Sequence, residues 1–163
     1  MRGILIVLLA LLVVPATGAQ HNHGSGSGLD QRGAMVMGFD QQKTTHHFYL
    51  YGDGGAIQVT VKDASDTMDL DAIRMHLPHI AMMFGQGDFS NPMLVHDRSD
   101  VPGAAEMARL KNRIAYRYHE VPDGGRVDIV TTDPAALKAV HAFLAFQISD
   151  HQTGDPVSVT PRP

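Results

Sequence analysis

The chain has 163 residues, room for one domain, and a net charge of −4 that argues against a nucleic-acid partner. It has no cysteine, which excludes disulfides, thiolate metal sites, a cysteine nucleophile and a lipid-modified cysteine anchor. Ten histidines and nine methionines leave imidazole and thioether as the soft or borderline metal ligands on offer.

The chain opens on Met1-Arg2-Gly3, an apolar run from Ile4 to Val14, and the small residues Pro15-Ala16-Thr17-Gly18-Ala19. A basic start, a short apolar stretch and a small-residue cleavage region predict a signal peptide over 1–19 and export to the periplasm or beyond the cell. An uncleaved anchor is the alternative, but the run falls short of the roughly 20 apolar residues a span needs. No second run of spanning length follows, so no membrane association is expected after cleavage.

Residues 20–33, "QHNHGSGSGLDQRG", lack apolar periodicity and predict a flexible leader. Cleavage after Gly18 would create Ala19-Gln20-His21, whose amine, backbone nitrogens and imidazole suit square-planar Cu(II) or Ni(II). Cleavage after Ala19 removes that site, and an unstructured polar leader is the preferred reading of His21 and His23.

A single domain is expected over 34–156. The first unit comprises a strand (45–51), the turn Gly52-Asp53-Gly54-Gly55, a strand (56–62) and a helix near 70–84. The second comprises a strand (113–121), the turn Pro122-Asp123-Gly124-Gly125, a strand (126–131) and a helix over 134–151. Asp-Gly-Gly between alternating apolar runs is a hairpin signal. "DGGAIQVTVKD" and "DGGRVDIVTTD" correspond along their length, which predicts a ββα pseudo-repeat. Asp133 and Pro134 supply start chemistry for the second helix. A short helix near 103–109 is expected to bridge the units. The predicted architecture is an α+β two-layer sandwich, a four-stranded antiparallel sheet with its helices on one face. A curved, barrel-like sheet around one helix is the alternative. Residues 157–163, within "PVSVTPRP", are expected to fray or lie extended as a disordered tail.

Strand alternation splits "TTHHF". His46 shares a face with Phe48 and Leu50 and should point at the helices. His47 shares the other with Tyr49 and Tyr51. On the first helix Ile73, Leu77, Ile80 and Phe84 follow the spacing of a buried face. His76, His79 and Met83 form a column on its flank, one turn apart. Pro78 inside this helix removes one backbone bond. On the second helix Leu137, Leu144 and Ile148 mark the core face, with His141 beside them and His151 at the end. His96, in "NPMLVHD", is placed in a loop at the rim. The metal candidates are therefore His46, His76, His79 and His141, with Met83 and His96 as auxiliaries. The plain alternatives are that His141 packs in the core and the methionines fill gaps. Asp88, Asp97, Asp100 and Asp155 could orient imidazoles, although Asp88 and Asp155 read more simply as turn residues.

The strings "RGAMVMGFDQQKTTHHF", "IRMHLPHIAMMFGQGDF", "PMLVHD" and "FLAFQISDHQTGDP" carry a resemblance. Over Arg32 to Pro156 the chain resembles a group of small exported bacterial proteins of uncharacterised function. The resemblance implies an intact family domain, with His46, His47, His76, His79, His96, His141 and His151 inside its motif blocks. It implies no activity or catalytic residue.

No nucleophile elbow, phosphate loop, dinucleotide fingerprint or HExxH is present. The sequence therefore predicts an exported transition-metal binder, copper first and zinc second, that buffers or delivers the ion, with a protein partner for transfer. One rival is an extracytoplasmic enzyme using the imidazoles with a catalytic metal or as acid and base. The other is a metal-free interaction or small-ligand module on the face of His47, Tyr49, Tyr51 and His119.

Overall fold

The computed structural model describes residues 25–163. The signal peptide expected over 1–19, the Ala19-Gln20-His21 site and the start of the leader lie outside the described residues.

The strands are β1 (Thr44–Tyr51), β2 (Gly54–Val61), β3 (Ile114–Val121) and β4 (Gly124–Thr131). The helices are α1 (Ser25–Met37), α2 (Thr67–Gln86), α3 (Ser90–His96), α4 (Ala104–Arg109) and α5 (Pro134–His151). The strands form one four-stranded antiparallel sheet in the order β1-β2-β4-β3. Each hairpin closes through a two-residue loop, because Tyr51 pairs with Gly54 and Val121 with Gly124.

The sequence pattern starts the second strand of each hairpin at Ala56 and Arg126, but each begins two residues earlier, at the first glycine. The reason is the central β2–β4 pairing. A Cβ on Gly124 would land on the Val59 carbonyl oxygen, and one on Gly54 on the Ile129 carbonyl oxygen. Gly54 also holds φ at 140°, which side-chain-bearing residues avoid.

α2 and α5 lie on the same face of the sheet, α2 mainly over β3 and β4 and α5 mainly over β1 and β2. Asp66 accepts a hydrogen bond from the Asp69 N–H at the start of α2, and Gly87 ends that helix in the left-handed conformation. Asp133 accepts from the N–H groups of Ala135 and Ala136 at the start of α5. The core between the layers holds Phe48, Leu50 and Ile57 from the sheet, Ile80 and Phe84 from α2, and Phe143 and Leu144 from α5. Each such side chain contributes about 1.5–3 kcal/mol by leaving water. Pro78 sits within α2 without ending it.

Three segments depart from expectation. The described part of the leader is helical. Leu29 is only 6% exposed, and Arg32 Nε donates to the Val95 carbonyl at 2.8 Å, so α1 is docked on α3. The segment around His96 is a helix rather than a loop. The C-terminal segment expected to be disordered lies along the free edge of β1, where the Thr160 N–H donates to the Leu50 carbonyl at 2.9 Å. Arg162 there bonds Asp53 and Asp128 and lies 4.5 Å from the Tyr51 ring centroid. An unpaired strand edge invites aggregation, and this segment covers it. Among the described residues no helix is long and apolar enough to cross a membrane.

Candidate functional site

β1 separates its two histidines as alternation requires. His47 faces outward, stacked on Tyr49 at 5.9 Å, with its Nδ1 2.8 Å from Asp155 Oδ1. Asp155 also accepts from the Phe48 N–H at 2.9 Å and the Thr153 hydroxyl at 2.7 Å. Asp155 is therefore more than a turn residue: it fastens the chain after α5 to the edge of β1. This role escapes sequence reasoning because the partners are more than a hundred residues apart.

His46 faces inward and lines a cavity of about 70 Å³ between the sheet and α2, α3 and α5. Phe48, Ile57, Leu77, Ile80, Phe84 and Phe143 make most of its wall apolar. Its polar lining comes from His46, His76, His96, His151, Asn91 and Gln147. His46 stacks on His151 with centroids 5.6 Å apart and planes 16° apart. His96 meets His151 edge-on at 5.1 Å, and His76 meets Phe39 edge-on at 5.8 Å.

Burial holds three of these rings neutral. It pushes His46 down to about 3, and neighbouring His151, His76 and His47 add to the effect. His76 is lowered to about 4 by burial and then by His79. His151 is also lowered to about 4, by burial and His96, against an opposing pull from Asp150.

His96 is held at both ring nitrogens. Nδ1 lies 2.5 Å from Asp150 Oδ2, and Nε2 lies 2.9 Å from Gln147 Oε1. The carboxylate only accepts, so Nδ1 carries a proton. With Gln147 Oε1 as the other partner, Nε2 carries one too, and the buried Gln147 Nε2 has no partner among the described residues. With the amide turned over, a neutral His96 accepts from Gln147, and Oε1 becomes the unpaired atom. Either way one amide atom of Gln147 is unmatched. His46 Nε2 is likewise buried with no partner among the described residues.

The predicted metal set is not brought together. His46, His76 and His96 reach the cavity. His141 does not: its Nε2 donates to the carbonyls of Tyr51 at 2.8 Å and Gly54 at 3.1 Å, which ties α5 to the first hairpin. Met83 packs in the core, and His79 is exposed. Among the described residues no three of His, Cys, Asp and Glu are grouped to hold a metal ion. The parallel His46 and His151 rings and the occupied nitrogens of His96 account for this. His151, Gln147 and Asn91 are lining residues missing from the predicted set. His151 had a signal, since it follows Leu144 and Ile148 at helical spacing.

The arrangement can bind through shape and neutral imidazoles, and among the lining residues no nucleophile sits beside a base. No family model matches the chain, and comparison with curated proteins and with solved structures finds no match, so its function must be read from the geometry alone.

Proposed function

We propose that the protein is an exported binding module whose cavity takes a small, uncharged, largely apolar ligand bearing one hydrogen-bonding group. The observation that carries this reading is a mostly apolar cavity lined by His46 and Gln147, each of which has one buried side-chain atom with no partner among the described residues. Leaving such an atom unpaired costs about 1–3 kcal/mol. A ligand that fills the apolar wall gains dispersion and burial, and a small movement of the lining side chains brings its polar group to such an atom. The volume of about 70 Å³ is that of a few water molecules and about half the roughly 150 Å³ that holds benzene, so a single ring enters only as the lining side chains move apart. The depressed protonation of His46, His76 and His151 leaves no positive charge for an anionic guest. The test is a titration with phenol followed by backbone amide NMR. Saturable shifts at residues lining the cavity support the reading. Unsaturable or scattered shifts up to millimolar phenol contradict it.

A second reading keeps transition-metal binding, copper before zinc, for buffering or delivery to a protein partner. It is favoured by the protonation of the same rings, because His46, His76 and His151 are already deprotonated as a metal requires. It needs side-chain rotation to bring three nitrogens to one point. Calorimetric titration of untagged protein with Cu(II) and Zn(II) tests it. Binding no tighter than that of a peptide spanning residues 20–33 rules it out.

A further inference from the structure

The structure re-sorts the soft donors of α2. The sequence column His76, His79 and Met83 is divided by burial: His76 turns to the cavity and Met83 to the core. His79 stays in solvent, flanked by Met75, 77% exposed, and Met82, 50% exposed. Met75 lies four residues before His79, and Met82 three after it. Such positions sit on one helix face with Cβ atoms about 5–6 Å apart. Helical side chains lean toward the N-terminus, so Met82 reaches over His79, and His79 over Met75.

We propose that Met75, His79 and Met82 form a surface site for a soft monovalent cation, Cu(I) in chemical class, with two thioethers and one imidazole nitrogen as ligands. The site is separate from the cavity and shares no residue with it. Single exposed methionines are ordinary. Here two flank an imidazole that has no hydrogen-bond partner among the described residues. Thioether ligands select Cu(I) over Zn(II), and the absence of thiolate and carboxylate ligands leaves little affinity for harder ions. Three flexible methionine torsions let Sδ atoms from both sides close on one ion. Met68 continues the same exposed stripe two turns earlier, but with no imidazole one turn away, so it serves as an internal control.

The test uses the full chain with 13C-methyl-labelled methionine and Ag(I), a redox-inert probe of the same softness. The methyl signals of Met75 and Met82 and the ring protons of His79 should shift together and saturate at one equivalent. Met68, Met83 and Met107 should not move. The Met75→Leu/Met82→Leu variant keeps helix propensity and apolar volume, and should weaken binding at least tenfold with unchanged circular dichroism. His79→Gln should do the same. Equal shifts at Met68, unchanged affinity in the double variant, or binding lost only in His21→Ala/His23→Ala overturns the proposal. Failure here leaves the phenol titration of the cavity unaffected.

Discussion

Lowering the pH from 7 to 5.5 should destabilise the fold through the cavity histidines, by an amount fixed by their burial. In the unfolded chain each imidazole titrates near its ordinary value of about 6.5. In the folded protein His46 is depressed to about 3, and His76 and His151 to about 4. The stability tied to keeping these rings neutral is therefore complete above pH 6.5 and is lost progressively below it, toward the folded values. At pH 5.5 the folded rings are still neutral while the unfolded ones are mostly protonated. Each ring then costs about 1.2 kcal/mol relative to pH 7, and the three together about 4 kcal/mol. That is a large part of a typical stability of about 5–15 kcal/mol. The carboxylates Asp53, Asp63, Asp66, Asp88, Asp100 and Glu106 are all lowered and titrate below this window. His46 is faced by His76 from α2 and His151 from α5, with His47 behind it on β1, so its own share is isolated by substitution. In His46→Leu the difference in urea-unfolding free energy between the two pH values should shrink by about 1.2 kcal/mol. An unchanged difference, or a wild-type protein more stable at pH 5.5, refutes the argument.

Other predictions are simpler. Asp155→Ala should cost about 2–3 kcal/mol in urea unfolding, because it removes bonds to His47, the Phe48 N–H and Thr153. It should also raise light scattering as the β1 edge is uncovered. Gly124→Ala should cost roughly 3 kcal/mol or more, read by thermal melting, since its Cβ would collide with the Val59 carbonyl oxygen on the central strand pair. His141→Ala should cost about 1–2 kcal/mol and leave phenol affinity unchanged, which separates this structural histidine from those of the cavity.

Local chemistry made most of the fold legible. Period-two alternation and Asp-Gly-Gly turns located both hairpins and sent His46 and His47 to opposite faces. Asp133-Pro134 marked the start of α5. The parts that stayed hidden depend on distant partners. "SGSG" reads as a leader by propensity, but Leu29 burial and the bond from Arg32 to Val95 stabilise α1 through contact with α3. The His76, His79, Met83 column failed at one step. Residues three apart on a helix differ by about 60° around its axis, enough to carry His79 across the boundary between core and solvent. His151 and Gln147 were hidden differently: α5 is apolar nearly all round, so spacing does not show which of its polar residues end up inside.

The most direct test of the cavity reading compares two probes of similar shape, phenol and toluene, in wild type and His46→Leu. His46 lines the cavity and its Nε2 has no partner among the described residues, while leucine keeps an apolar wall there. The account predicts that the variant loses about five- to tenfold in phenol affinity, worth about 1–1.4 kcal/mol, and keeps or improves its toluene affinity. Equal losses for both probes, or no binding of either by the wild type, would contradict it.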